Sequence, residues 1–227
     1  MMDQTIHAIA HIETAFGSKF GVPRQSGIID ALEARIVFEP EYRVPEAFRG
    51  MDEFSHLWLI WSFSEVHQEK WSPTVRPPML GGNVRKGVFA TRSPFRPNAL
   101  GLSSVRLVRI DWDCPDAPVL VVAGADLMNN TPIFDVKPYL PFTDIHAEAT
   151  GGFTDKVLKE EKLLKVEIPE QMCEKFSADQ LQALEQVLAH DPRPHYQNNA
   201  DRIYGMEFYG VNVRFMVKED TVIVLDY

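Results

Sequence analysis

For about its first two-thirds the chain never runs far without a glycine, a proline or an Asp/Asn cluster. The apolar stretches between these breaks are short and rich in β-branched and aromatic residues. Such a texture suits short strands joined by tight turns. Nothing in it alternates a strand with a long amphipathic helix, so a doubly wound sheet is not expected. A closed or nearly closed β-barrel is. The strands are expected near residues 6–12, 28–38, 56–62, 87–91, 100–110 and 118–125. Among them Leu57-Trp58-Leu59-Ile60-Trp61 is continuously apolar, the pattern of a strand buried on both faces.

After about residue 149 the texture changes. Thr150-Gly151-Gly152 reads as a hinge, followed by a charged, solvated stretch over 156–165 and a short strand at 165–168. Ser177-Ala178-Asp179-Gln180 is a capping box, in which the Ser hydroxyl and the Gln amide satisfy the first free backbone N–H groups of a helix. The helix is expected to run to about Ala189, with Leu181, Leu184, Val187 and Leu188 on one face, and to stop at Asp191-Pro192-Arg193-Pro194. Strands follow at 204–209, 211–217 and 222–225. The expectation is a mainly β chain: a barrel over 1–149 and a small α+β domain over 150–227. A chain of 227 residues, 45% hydrophobic and 24% charged, has room and apolar material for both.

The protein is acidic overall, with a net charge of −9, yet the window 70–109 holds Lys70, Arg76, Arg85, Lys86, Arg92, Arg96, Arg106 and Arg109 and no Asp or Glu. Clearing carboxylates from one window creates a local positive field suited to a polyanion or a carboxylate-bearing ligand. The first twenty residues lack the basic start and apolar core of a secretory signal. The apolar run 57–61 is far too short to span a bilayer. Cys114 and Cys173 lie far apart in unlike contexts, as expected of reduced thiols in a cytoplasmic protein.

Two nucleotide signatures are nearly present. Gly82-Asn83-Val84-Arg85-Lys86-Gly87 has the glycine spacing of a phosphate loop, but Val88-Phe89 stand where Lys and Ser/Thr are required. No G-x-G-x-x-G follows a strand. His7 and His11 have no third ligand nearby, and no G-x-S-x-G elbow supports a Ser-His-Asp triad. No metal site is expected. What remains is three polar loops at strand ends, a usual place for a site on a β scaffold. Arg92-Ser93-Pro94-Phe95-Arg96-Pro97-Asn98 joins two planar guanidinium forks to two backbone-fixing prolines and an aromatic face. Pro23-Arg24-Gln25-Ser26-Gly27 repeats the theme. Asp126-Leu127-Met128-Asn129-Asn130-Thr131-Pro132 offers a carboxylate and two amides that suit a ribose or an adenine edge.

Pro23-Arg24-Gln25, Phe54-Ser55-His56-Leu57-Trp58-Leu59-Ile60, Arg76-Pro77-Pro78 with Gly81-Gly82-Asn83, Phe89 through Asn98, and Asp135-Val136-Lys137-Pro138-Tyr139-Leu140-Pro141 together resemble the TsaA/TrmO family of tRNA methyltransferases. The match covers roughly 6–144, and the tail is similar to bacterial members at 191–194, Tyr196 and Arg202 to Gly205. Ala99-Leu100 stands where many relatives carry a proline and an isoleucine. The resemblance implies a non-Rossmann β-barrel enzyme that works as a homodimer with S-adenosylmethionine. It implies N6-methylation of threonylcarbamoyl-adenosine, immediately 3′ of the anticodon in tRNA. The positions matching the family's cofactor site are Pro23, Arg24, Gln25, His67, Gln68, Arg92, Leu102, Asp126, Leu127, Met128 and Asn129. Catalysis is expected to rest on Arg92 as a carboxylate clamp and on Asp126 or His67 as proton acceptor. Arg193 and Arg202 would extend the basic window as a tRNA track. Two other readings remain open: a non-catalytic module that binds S-adenosylmethionine or RNA, and methylation of a small molecule.

Overall fold

The computed structural model describes residues 4–66, 71–155, 162–193 and 199–225. Eight strands precede residue 140: β1 (Ala10–Glu13), β2 (Glu33–Phe38), β3 (His56–Ser62), β4 (Thr74–Val75), β5 (Lys86–Gly87), β6 (Leu100–Asp111), β7 (Val119–Ala123) and β8 (Thr131–Pro138). Six of them close a barrel in the order β1-β2-β7-β6-β3-β8, with β8 returning to β1. Every barrel pair is antiparallel, so closure leaves no free sheet edge. The interior is filled by Ile12, Ile36, Leu57, Leu59, Val105, Leu120, Val122 and Ile133, all nearly inaccessible to solvent. Full burial of each such side chain is worth roughly 1.5–3 kcal/mol. β4 and β5 form a separate two-stranded ribbon outside the barrel.

β3 spans His56–Ser62 as its composition predicts, but it is not buried on both faces. Leu57, Leu59 and Trp61 point inward, while Trp58 and Ile60 are half-exposed on the outer surface. The strand buried on both sides is β7, all five of whose residues are inaccessible. Strand 87–91 is also shorter than expected. Only Lys86 and Gly87 pair, and Val88–Ala90 turn into a single 3-10 turn closed by the Thr91 hydroxyl on the Val88 carbonyl at 2.9 Å.

The second unit is a four-stranded sheet built from β9 (Lys165–Glu167), β10 (Tyr204–Phe208), β11 (Val211–Lys218) and β12 (Thr221–Leu225), in the order β10-β11-β12-β9. The helix Ala178–Ala189 begins at the expected capping box, Ser177 accepting from the Gln180 N–H and Gln180 returning a bond to the Ser177 N–H. Leu184, Val187 and Leu188 bury against Phe208, Val213, Phe215 and Val222. This core takes Ala15, Phe16, Ile29 and Leu32 from the N-terminal part of the chain. Phe16 packs edge-on to Phe208 at 5.7 Å, and the Tyr209 N–H bonds to the Ala15 carbonyl at 2.8 Å. The loop between β1 and β2 is therefore fixed by both units.

Candidate active site

The β1–β2 loop is drawn to the barrel rim by backbone contacts. The Gly27 N–H donates to the Gly124 carbonyl at 2.8 Å and the Gly124 N–H to the Leu32 carbonyl at 3.0 Å. Gly124 has φ +78, and a Cβ there would stand 3.2 Å from the Gly27 backbone. A side chain would be strained in dihedral and crowded in space. This approach sets Gln25 and Ser26 beside the segment that leaves β7.

Three of the predicted residues meet at that rim. Arg92 Nη1 donates to Gln25 Oε1, and Gln25 Nε2 donates to the Arg24 carbonyl, so Gln25 is oriented by main chain and in turn aims the exposed guanidinium. Asp126 lies behind them, partly buried. Burial pushes its carboxyl above the ordinary Asp value. A hydrogen bond from Ser103, the N–H groups of Asp126 and Ser26, and the charge of Arg92 only partly offset this. The result is a carboxylate with raised proton affinity beside a cation.

The support beneath Asp126 is a relay that sequence reading missed. Trp61 Nε1 donates to Ser103 Oγ at 2.9 Å, and Ser103 Oγ donates to Asp126 Oδ1 at 2.5 Å. Ser103 is 1% exposed and Trp61 7%. The relay depends on register: Trp61 of β3 pairs with Gly101 of β6, which puts the indole across the strand toward Ser103. A Cβ on Gly101 would sit 2.2 Å from the ring, so the indole occupies the space that any other residue would need.

A groove of about 630 Å³ runs from Ser26, Gly27 and Arg92 down the outer barrel face. Its floor is the outward row of β6, Leu102, Ser104 and Arg106, which register places opposite Ile60, Trp58 and His56 of β3. Tyr139 closes the far side, its ring 5.4 Å from Trp58 and 6.1 Å from His56. Trp58 is fixed by donation to Asp144 Oδ2 at 2.8 Å. The Leu140 N–H and the Trp58 N–H hold the Asp144 carboxyl below the usual carboxylate range. His56, Trp58, Arg106 and Tyr139 were not among the expected site residues. All but Tyr139 belong to alternating strand positions whose outward side only the register reveals.

The other predicted residues are distributed more widely. Arg24 reaches away from the rim, donating to the Asp191 and Arg193 carbonyls at 3.2 and 3.5 Å, and so ties the loop to the second unit. Leu102 is 55% exposed in the groove. Leu127 sends its side chain into the barrel core, and Met128 receives the Thr131 hydroxyl on its carbonyl. Asn129 Oδ1 accepts from the Thr14 N–H at 3.1 Å, bracing the start of the β1–β2 loop. Pro23 is half-buried. His67 and Gln68 lie outside the described residues, as do Lys70 and Tyr196.

The positive window is partly neutralised in space. Arg109 pairs with Asp111 and Glu33, from just outside the window and from β2. Arg193 grips Asp191 with Nε and Nη2, each at 2.8 Å, and Arg202 lies over the Tyr204 ring at 5.2 Å. Among the described residues no carboxylate pairs with the exposed Arg76, Arg85, Arg92 or Arg106. Among the same residues no cluster of three or more His, Cys, Asp or Glu is arranged to hold a metal, and no helix is long and apolar enough to cross a membrane.

Two family models match the sequence: the tRNA-methyltransferase O N-terminal domain over 11–145 and the TrmO C-terminal domain over 161–227. The chain is 36% identical to a tRNA (adenine(37)-N6)-methyltransferase of Escherichia coli K12, over 93% of this chain and 92% of the relative. It is 35% identical to RcsF of Pseudomonas aeruginosa, whose name describes an S-adenosylmethionine-dependent methyltransferase, over 99% and 98%. A crystal structure of TrmO from Pseudomonas aeruginosa superposes with a TM-score of 0.79 at 29% identity, covering 99% of this chain and 98% of the other.

Proposed function

This chain belongs to the tRNA-methyltransferase O family, and we propose that it is an S-adenosylmethionine-dependent tRNA (adenine-N6)-methyltransferase acting on threonylcarbamoyl-adenosine, immediately 3′ of the anticodon. The names of its relatives support the tRNA, the adenine and the donor. The observation that carries the finer reading is the closeness of Arg92, which lines the groove, to Asp126: an aimed, exposed guanidinium whose charge acts on a buried carboxylate of raised proton affinity. Threonylcarbamoyl-adenosine presents a carboxylate to clamp and an N6 with a proton to remove, so it calls for both groups.

The groove suits the donor in size and lining. Its volume falls in the range of small-molecule sites, with apolar Leu102 and Trp58 on its floor and cations at Arg92 and Arg106. S-adenosylmethionine supplies an electrophilic methyl on a sulfonium when bound, and no protein residue becomes covalently attached. The chain's work is then positioning, exclusion of water and removal of one proton. Arg92 holds a carboxylate of substrate or donor through its planar fork, and Gln25 fixes the direction of that fork. Asp126 accepts the N6 proton, its basicity raised by burial and its position held by Ser103. Pro23, Arg24, Gln25, Leu102 and the stretch 126–129 are assigned to the donor side. Catalysis is assigned to residues 1–149 and a supporting tRNA contact to 150–227, in a cytoplasmic homodimer.

The test incubates purified protein and donor with tRNA carrying or lacking the threonylcarbamoyl group, then digests the RNA for mass spectrometry. The expected result is one added methyl on threonylcarbamoyl-adenosine and none on the unmodified nucleoside. Equal methylation of both RNAs would remove the threonylcarbamoyl assignment. Donor binding without any transfer would leave a non-catalytic module.

A further inference from the structure

The ribbon β4–β5 carries two large aromatic side chains that stay exposed. Trp71, just before β4, is 49% exposed, and Phe89, just after β5, is 73% exposed. Their rings lie 6.2 Å apart and 29° from parallel, one stacked arrangement facing outward. The backbone beneath is tied by hydrogen bonds. Val88, next to Phe89 in the chain, is 1% exposed, and its N–H donates to the Pro73 carbonyl at 3.0 Å. Arg85 Nη1 bonds Thr74 Oγ1 at 2.7 Å across the ribbon, and Lys86 lies over the Phe153 ring at 5.7 Å. A hydrogen-bonded ribbon holding open aromatic faces is an informative departure from ordinary surface composition.

We propose that Trp71 and Phe89 are a stacking platform for an unpaired nucleobase of the RNA substrate, within about three nucleotides of the target adenine. The proposal rests on the tRNA reading above and adds a binding site to it. Three observations select this occupant. The platform sits within the segment 71–109, which has no Asp or Glu, and is flanked by the exposed Arg76, Arg85 and Arg92. That surrounding suits a chain of phosphates, whereas an uncharged apolar partner would gain nothing from it. Phe89 is three residues from Arg92, so their backbones are at most about 11 Å apart. At about 3.4 Å per stacked nucleotide a base on Phe89 lies within about three nucleotides of one held at Arg92. Unpaired bases of RNA loops are bound in this way, each base offering a π-face to an aromatic side chain while cations follow the backbone.

The test uses an anticodon stem-loop carrying threonylcarbamoyl-adenosine, with 2-aminopurine placed in turn at the loop positions flanking it. Full-length wild type is compared with Phe89→Ala, Phe89→Leu, Phe89→Tyr and Trp71→Ala. Wild type is expected to quench the probe at one flanking position. Phe89→Ala, Phe89→Leu and Trp71→Ala lose that quench and bind the stem-loop about 5- to 100-fold more weakly. Phe89→Tyr retains both, and S-adenosylmethionine affinity by calorimetry is unchanged throughout. If wild type methylates the RNA while Phe89→Ala and Phe89→Leu match it in quench and affinity, the platform is wrong and the enzyme reading stands. If wild type neither binds nor methylates the RNA, both fall. Sedimentation showing that Trp71→Ala and Phe89→Ala convert a dimer to monomer, with RNA quench intact, would give this face to a second copy and overturn the proposal.

Discussion

Replacing Asp126 by Asn separates what that residue does for the reaction from what it costs the fold. Asn keeps the shape and one acceptor oxygen for Ser103 but cannot take a proton. A positioned general base contributes about 10²- to 10⁴-fold, or roughly 3–5 kcal/mol of barrel-rim transition-state stabilisation at 1.36 kcal/mol per decade. Single-turnover methyl transfer should therefore slow by that factor, with the donor's dissociation constant changed far less. The effect on stability has its own pH signature. Burial raises the native Asp126 pKa above its ordinary 3.8, so the native state holds this proton more tightly than the unfolded chain. Wild type carries no penalty from this group below 3.8 and acquires one as pH rises through the raised native value. Asn does not titrate. The difference in melting temperature, variant minus wild type, should climb with pH across that window and level off above it, whatever constant offset the lost acceptor introduces. Turnover within about threefold of wild type would refute the assignment of the base. A difference in melting temperature that is flat or falls with pH would refute the account of its environment.

Other substitutions probe the parts around it. Ser103→Ala removes the hydroxyl from Asp126 and leaves the buried Trp61 N–H without its acceptor. It should cost about 1–3 kcal/mol in urea unfolding and move the pH dependence of turnover upward, because a donor that favours the charged carboxylate is gone. Gly101→Ala drives a methyl to within 2.2 Å of the Trp61 ring and should destabilise by about 1–3 kcal/mol, a melting-temperature loss of several degrees by calorimetry. Changing Arg76 and Arg85 together to Gln should weaken tRNA binding and reduce the slope of log affinity against log salt by about one per lost phosphate contact. The same changes at Arg109 and Arg193, already paired with Asp111, Glu33 and Asp191, should leave that slope nearly unchanged.

The barrel was legible because its strands are local features. β3 and β6 emerge at nearly their true bounds from short apolar runs between turn residues, and the helix Ala178–Ala189 from a capping box that does not depend on tertiary context. β8 was missed because Pro132, Asp135 and Pro138 give it the composition of a loop. Only pairing to β1 and β3 makes it a strand. The error over β3 has the same origin. Apolar outward residues such as Trp58 and Ile60 look like a second buried face, but both are half-exposed on the outer surface, and Trp58 lines the groove.

Site residues followed a similar division. Arg92 and Gln25 stand out as candidates because charged and amide groups in proline-stiffened loops have little packing to explain them, and Asp126 because it opens a polar loop after a strand. Ser103 and Trp61 do not, since a serine in a strand and a tryptophan in an apolar run have ordinary structural uses. Their joint role exists only through the pairing of Trp61 with Gly101. Arg24 and Asn129 look like ligand-binding groups in sequence and are also structural ties in space, to the Asp191 carbonyl and the Thr14 N–H. A polar side chain in a loop has many candidate backbone partners, and the sequence does not say which it will meet.

Titrating the purified protein with S-adenosylmethionine in a calorimeter, alongside Arg92→Ala, bears most directly on the claim that the barrel rim is a methyl-donor site. Saturable uptake by wild type, weakened about tenfold or more in the variant by loss of a charge-assisted bond of roughly 1.5–3 kcal/mol, is the expected result. No measurable uptake by wild type, with or without tRNA present, would contradict it.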